Sequence, residues 1–402
     1  MVWDAYKQVR KNGGSAGVDG ISLNEFSQDL AGNLYRIWNR LASGSYFPPP
    51  VMEVSIPKQS GGQRKLGIPT VADRVAQMVI KNYIEPKIEP YFDLDSYGYR
   101  LGRNAHQALE QARNRNRKFA WAIDMDIKGF FDNIDHDLLM KALKKHVQEK
   151  WALMYIERWL KASLETSTGI QKREDGTPQG GVISPILANL YLHYAFDRWI
   201  RINYPEVEFE RYADDIVVHC SSKEDAEKVL EAVRNRMQQC NLELHPVKTK
   251  IVYCKDYRRK EFYDNVSYSF LGYTFQPRAT KSYNGGTFIG FDLAISKDAL
   301  KTISETVRKM KLQRRSSATI EDIAEMLNPK IRGWIYYYGK FRRQKLYKFL
   351  YRINVRLLKW VKVRYKRFNG STKKAEKWLS KVYKTRPELF LHWQYVKPYC
   401  FD

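Results

Sequence analysis

Tyr212-Ala213-Asp214-Asp215 decides how this chain is read. The run Val207 to Tyr212 precedes it and Ile216-Val217-Val218 follows, so the tetrapeptide reads as the tip of a β-hairpin with its carboxylates outside the core. Two aspartates side by side repel and raise each other's pKa, a placement that calls for a countercharge, and a divalent cation fits. Aspartate is also common in hairpin turns. The tetrapeptide alone leaves both readings open, and an acidic element upstream decides between them.

That element is Asp124-Met125-Asp126-Ile127-Lys128-Gly129-Phe130-Phe131-Asp132, preceded by the apolar segment Phe119 to Ile123. The pattern predicts a buried strand that delivers carboxylates at its C-terminal end. His136 to Val147 then reads as a helix with Asp135 at its N-cap; Asp132 and Asp135 read as surface and capping residues. Two Mg²⁺ ions about 3.5–4 Å apart, the arrangement of polymerases, need carboxylates converging from separate segments. Mg²⁺ keeps waters and takes one or two carboxylates plus substrate phosphates, so Asp126, Asp214 and Asp215 are a sufficient set. The chemistry implied is nucleotidyl transfer.

Between the two acidic elements lies Gly176-Thr177-Pro178-Gln179-Gly180-Gly181-Val182-Ile183-Ser184-Pro185. Ser184 as N-cap and Pro185 at the first helical position predict a helix from Ile186 to about Trp199. The glycines let backbone approach a ligand closely, although a Gly-rich loop by itself is more often a turn.

The order of these three elements resembles motifs A, B and C of reverse transcriptases, and the surrounding wording is similar to bacterial group II intron-encoded reverse transcriptase/maturases. Further matching stretches are Ile56-Pro57-Lys58, Gly67 to Arg74, Ser96-Tyr97-Gly98-Tyr99-Arg100, Phe270-Leu271-Gly272-Tyr273 and Ile331-Arg332-Gly333-Trp334-Ile335-Tyr336-Tyr337-Tyr338. The resemblance implies Asp126, Asp214 and Asp215 as catalytic metal ligands for two Mg²⁺, with Mn²⁺ a substitute. It implies Lys58, Arg64 and Arg74 as the grip on the triphosphate of a dNTP, and Gln179-Gly180 as the loop under the nucleotide and template. Phe131 falls at the aromatic gate against a ribose 2′ hydroxyl, or is a core aromatic; Lys248 is a motif D general acid, or a surface lysine. The fold expected is α+β, a right-hand polymerase with α/β fingers (1–115), a ferredoxin-like antiparallel palm (116–285) and a helical thumb, domain X (286–402). Expected partners are group II intron RNA, an RNA template with a DNA primer, and target DNA.

Charge agrees with a polyanionic partner. The 69 basic residues exceed the 44 acidic ones to give +25. Residues 301–402 alone hold 27 Lys+Arg against 7 Asp+Glu, a net +20, which leaves the first 300 residues close to neutral. Within the basic part, Leu346, Phe349, Leu350, Ile353, Leu357, Trp360 and Val361 keep a helical apolar period. Lys345, Lys348, Arg352, Arg356, Lys359, Lys362 and Lys366 run beside it with no acidic residue between Arg342 and Arg367, a row suited to phosphates. The aromatic, basic tail Trp378 to Asp402 is expected to add a small helical element.

Cys220, Cys240, Cys254 and Cys400 show no paired zinc spacing, and scattered single cysteines suit a reducing cytoplasm, here a bacterial one. No apolar run reaches the roughly 18 residues of a membrane span. The start is expected to be short or trimmed before Gly17-Val18-Asp19-Gly20, and no Cys-rich His-Asn-His endonuclease segment is read. Ser221 and Glu224 predict a capping box for a helix with the stripe Ala226, Val229, Leu230, Val233 and Met237. Two other functions share these motifs: a reverse transcriptase used in phage defence or CRISPR spacer acquisition, and a non-enzymatic RNA-binding splicing factor. Intact aspartates argue against the second, and the Arg-Gly-Trp-Ile-Tyr-Tyr-Tyr segment favours the intron enzyme over the first.

Overall fold

The computed structural model describes residues 1–57, 62–282, 284–368 and 370–399. Two compact units form, Met1–Val252 and Tyr253–Asp402. The first contains β1 (Val51–Pro57), β2 (Gln63–Ile68), β3 (Trp121–Met125), β4 (Leu164–Thr166), β5 (Gly169–Gln171), β6 (Glu208–Tyr212), β7 (Asp215–Cys220) and, at its end, β8 (Lys250–Tyr253). These make two four-stranded sheets, β2-β1-β4-β5 and β6-β7-β3-β8.

In the first sheet, β1 and β2 pair antiparallel from Met52↔Ile68 to Pro57↔Gln63. Lys58 and residues 59–61 lie outside the described residues. In the second sheet, β3 is buried through Trp121, Ala122, Ile123 and Met125, a strand with no solvent-facing apolar residue. Each large side chain so buried contributes about 1.5–3 kcal/mol, which fixes where the strand ends and therefore where Asp126 emerges.

Helices cover these sheets. His136–Leu143 starts where expected, with Asp135 accepting from the Leu138 amide, but ends four residues before Val147. The helix after the Gly-rich loop runs Ser184–Leu192, continues through a π-helical segment His193–Asp197 and finishes with Arg198–Asn203. Ser184 is not its cap. Its hydroxyl bonds Thr177 Oγ1 at 2.8 Å, and Gln77 Oε1, from the helix Val71–Ile88, accepts the amides of Val182 at 2.8 Å and Ile183 at 3.3 Å. A distant glutamine thus anchors the turn that leads into the helix. Likewise, the helix Lys223–Gln239 is capped by Ser222, which accepts from the Asp225 amide, one residue beyond the expected Ser221 and Glu224.

The second unit holds β9 (Tyr268–Phe270), β10 (Tyr273–Lys281) and β11 (Thr287–Ile295) in the antiparallel order β11-β10-β9. The expected boundary at 285/286 falls in the turn of the β10-β11 hairpin, whose nine-pair register from Tyr273↔Ile295 to Lys281↔Thr287 keeps both sides in one unit. The helices Lys297–Lys309, Ile320–Tyr338, Gln344–Arg364 and Thr372–Thr385 follow. All seven residues of the apolar stripe on Gln344–Arg364 are buried in one core, so the periodicity located the packing face correctly. The tail docks on that helix: Asn354 Oδ1 meets His392 Nε2 at 2.7 Å and Trp393 Nε1 at 2.9 Å. Among the described residues no helix is long and apolar enough to cross a membrane.

Candidate active site

The β6-β7 hairpin closes with Tyr212 paired to Asp215 and only Ala213 and Asp214 between them. Ala213 sits at φ 57°, a left-handed backbone that costs a non-glycine residue roughly 1–2 kcal/mol. Tyr99, far upstream in the chain and largely exposed, adopts φ 56° beside the same turn. Between them, Gly98 lies so close that a Cβ there would stand 2.4 Å from the Ala213 nitrogen. Ser-Tyr-Gly-Tyr-Arg is therefore a brace for the acidic turn, and its glycine is sterically required.

β3 pairs with β7 from Trp121↔Cys220 to Met125↔Ile216. One further step along this register sets Asp126 across from Asp215. The segment after the helix Lys223–Gln239 then folds over the end of β3: Lys128 N–H donates to the Glu243 carbonyl at 2.8 Å, and His245 N–H to the Asp126 carbonyl at 2.7 Å. That course delivers Lys248, whose ammonium lies 2.8 Å from Asp126 Oδ2. The two candidate residues meet.

Electrostatics mark the same place. Asp215 opens to solvent on one side, yet the protein around it withdraws water, and repulsion from Asp214, Asp126 and Asp124 adds to this, so its carboxyl is pushed up to about 7. Burial chiefly raises Asp214 too, with Asp126 adding to the effect and Arg64 and Lys248 opposing it. Asp124, two residues before Asp126 on the strand, is raised to about 7 by burial against the pull of Lys250, 3.9 Å away. This fourth carboxylate was not singled out from the sequence. The alternation that puts residues two apart on one face of a strand was the available signal.

Several carboxylates that resist ionisation together suit a cation. Among the described residues no three His, Cys, Asp or Glu side chains form a ready metal cage. The donor set nevertheless fits a hard divalent ion: oxygen ligands from two segments, with Asp126 already holding the positive head of Lys248 as a stand-in.

The hairpin is clamped from behind. Arg211, fully buried, bonds Asp197 through Nε at 2.7 Å and Nη2 at 2.5 Å. Its Nη1 donates to Asn189 Oδ1 at 2.9 Å and to the Ala213 carbonyl at 3.2 Å. Asn189 Nδ2 in turn donates to the Gly98 carbonyl at 2.7 Å. Asp197 closes the π-helical segment, a departure from α-geometry often found at functional sites. Sequence reading missed this clamp; a lone Asp and Asn in an otherwise apolar helix were the trace of it.

On the opposite side, Arg64 of β2 donates from Nε to Gln179 Oε1 at 2.6 Å, and Gly67 N–H to the Gln179 carbonyl at 2.8 Å. Gly180, at φ 123°, leaves no room for a Cβ, which would stand 2.5 Å from the Gly67 carbonyl. Arg64 and Gln179 are thus brought together. Arg74 is not presented to them: it is buried and donates to the carbonyls of Gly13 at 3.0 Å and Ser15 at 2.7 Å, tying down the N-terminal segment. Its expected place at the triphosphate is corrected to a structural one. Phe131 is 6% exposed and packs edge-on against Phe130 at 5.3 Å. Of the basic row on Gln344–Arg364, Lys345, Lys348, Arg352 and Lys359 are exposed. Arg356 and Lys362 are half-buried, with Lys362 Nζ donating to Thr372 Oγ1 at 3.1 Å. Cys220, Cys240 and Cys254 are buried and in no disulfide among the described residues, and Cys400 lies outside them.

Residues 56–275 match the family model for reverse transcriptase (RNA-dependent DNA polymerase), and residues 300–379 that for the group II intron maturase-specific domain. The chain is similar to protein YkfC of Escherichia coli K12, 31% identical over 283 residues that are 61% of this chain and 74% of that one. The group II intron-encoded protein LtrA of Lactococcus lactis is 34% identical over 192 residues, 47% of this chain and 32% of LtrA. Of the uncharacterized 91 kDa protein in the cob intron of Schizosaccharomyces pombe, 34% identical, the chain covers 23%. It thus spans a third or less of the last two. Among solved structures, telomerase from Candida albicans with a fragment of telomeric RNA aligns over 94% of this chain and 69% of that one, with TM-score 0.48 and 11% identity. The mixed helix-and-sheet architecture fits the right-hand polymerase fold of the matched family, whose members use divalent metal ions. The chain belongs to the reverse transcriptase (RNA-dependent DNA polymerase) family, as a group II intron reverse transcriptase/maturase.

Proposed function

We propose that this chain copies RNA into DNA at Asp126, Asp214 and Asp215 and holds the RNA of its own intron through the basic second unit. The observation that carries the reading is the register of β3 on β7, which brings Asp126 opposite the acidic turn. In this reading the sheet β6-β7-β3-β8 is the palm, the sheet containing β1 and β2 belongs to the fingers, and the helices after Ser296 are the thumb.

The primer 3′ oxygen attacks the α-phosphorus of a dNTP, forming one P–O bond while the α–β bond breaks and pyrophosphate leaves. Two bound Mg²⁺, or Mn²⁺, would activate the hydroxyl and neutralise charge on the transferring phosphoryl group. Asp126, Asp214 and Asp215 would hold them. Arg64, with Lys58, grips the triphosphate; Gln179 and Gly180 shape the floor beneath the nucleotide and template. Phe131 limits room at the ribose 2′ position, and Lys248 supplies a proton to the departing pyrophosphate. Lys345, Lys348, Arg352, Arg356, Lys359 and Lys362 take up phosphates of intron RNA and primer-template, and target DNA is the further partner. Action in the bacterial cytoplasm accords with three buried cysteines that form no disulfide among the described residues.

The maturase-specific match favours an intron enzyme over a polymerase of phage defence. Purified protein should extend a DNA primer annealed to an RNA template with dNTPs and Mg²⁺, stop on chelation, and bind a group II intron RNA more tightly than an unrelated structured RNA. Extension without selective RNA binding would make it a reverse transcriptase of phage defence or CRISPR spacer acquisition. Binding without extension would make it a splicing factor.

A further inference from the structure

A surface cavity of about 170 Å³ lies in the second unit, lined by Ile335, Tyr336, Gly339, Lys340, Arg343, Leu346, Tyr347 and Tyr395. Its floor is apolar, with Leu346 wholly buried. Its walls are aromatic. Tyr347 and Tyr395 stack at 5.6 Å with 29° between their planes, and Tyr336 stands 77% exposed. Lys340 and Arg343 are exposed beside it, the Arg343 guanidinium steadied by Nε donating to the Gly339 carbonyl at 3.2 Å.

Nothing in the polymerase chemistry uses these side chains, and an exposed tyrosine next to a cleft with two cations has a specific complement. The cavity is well below the roughly 300–1,000 Å³ of pockets that enclose a whole small-molecule ligand. A flat ring system fits where a complete nucleotide does not, which leaves the phosphate outside, near Lys340 and Arg343. Sequence-tolerant stacking of a base on tyrosine, with arginine or lysine at the backbone, is how proteins seize unpaired nucleotides. The surrounding charge, net +20 over residues 301–402, favours the same class of ligand.

We propose that the cleft between the end of the helix Ile320–Tyr338, the start of the helix Gln344–Arg364 and Tyr395 is a receptor for a single unpaired nucleobase of the bound RNA. It rests on the reading that the second unit binds RNA, and it adds a contact that duplex phosphates cannot make. Tyr336, Tyr347 and Tyr395 supply the stacking faces; Lys340 and Arg343 take the flanking phosphates. A bulge or loop is thereby distinguished from a continuous helix.

The test compares two RNA hairpins, identical except that one carries a single 2-aminopurine bulge, on full-length protein over a salt series. Wild type should prefer the bulged hairpin and quench its fluorescence. Tyr336→Ala, at so exposed a position that folding is spared, should weaken the bulged hairpin about 5- to 100-fold. It should leave the plain hairpin and the salt slope as they were, and Tyr336→Phe should restore binding. Arg343→Gln should make the slope shallower by about 0.7 on either RNA. Equal loss on both hairpins in Tyr336→Ala, or binding without quenching in wild type, overturns the receptor while RNA binding stands. Failure of wild type to bind either hairpin overturns the RNA-binding reading and the receptor with it.

Discussion

The ammonium of Lys248 lies 2.8 Å from Asp126 Oδ2, a contact across 122 residues that depends on the chain after the helix Lys223–Gln239 folding back over the end of β3. If Lys248 donates a proton to pyrophosphate, Lys248→Ala should lower the single-turnover rate of extension about 10²-fold, at the lower end of general acid catalysis. The KM for dNTP should change little. A KM effect alone would make Lys248 a phosphate contact.

Asp215 and Asp124 are held near 7, and Asp214 is raised as well. A carboxyl raised in the folded state keeps a proton there that the unfolded chain has released. These groups therefore favour the fold at low pH, and that contribution is lost as pH rises from about 4 through 7. A divalent cation needs the ionised forms and displaces the protons. The rise in melting temperature on adding Mg²⁺ should accordingly be larger at pH 8 than at pH 6. Equal increments at both would mean that the ion binds elsewhere.

Arg211 sets the turn that carries Asp214. Removing one partner of a buried pair leaves the other charge uncompensated, so Arg211→Ala should cost about 3–5 kcal/mol in unfolding free energy. The double variant Arg211→Met with Asp197→Leu should recover most of that stability, because apolar replacements fill a buried pair's space without a desolvation penalty. The Ala213 carbonyl and the Asn189 amide would still lack their donor. Extension by the double variant should stay at least about tenfold slow, close to 1.4 kcal/mol in the barrier. A wild-type rate would show that the clamp serves stability alone.

The row on Gln344–Arg364 is tested by its salt dependence. Changing Arg352, Arg356 and Lys359 together to Gln keeps helix propensity and the buried stripe. The slope of log affinity against log salt should become shallower by roughly two to three units if all three meet phosphate, and by less if half-buried Arg356 does not. An unchanged slope in folded protein would make the row a solvated face.

How much of this was legible follows from the range of each interaction. The acidic hairpin, β3, the Asp135 cap and the stripe Leu346 to Val361 all express local periodicity or turn chemistry, and the structure has them where the sequence put them. The misplaced features depend on partners far along the chain. Ser184 bonds Thr177 instead of capping, in a turn held by Gln77, and Arg74 was drawn to the carbonyls of Gly13 and Ser15. The boundary at 285/286 failed because β10 and β11 pair across it. At the site itself the aspartates were legible from their residue types. Arg211, Asp197 and Asn189 were not, since a buried polar clamp has no period.

Asp214→Asn in a single-turnover extension assay, with primer-template affinity measured alongside, tests the central claim most directly. The substitution keeps the shape of the side chain and removes its charge. Extension should fall about 100-fold or more while primer-template binding stays within about twofold, because what is lost is cation binding and charge stabilisation in the transition state. Extension at close to the wild-type rate would contradict the assignment of the hairpin as the catalytic centre.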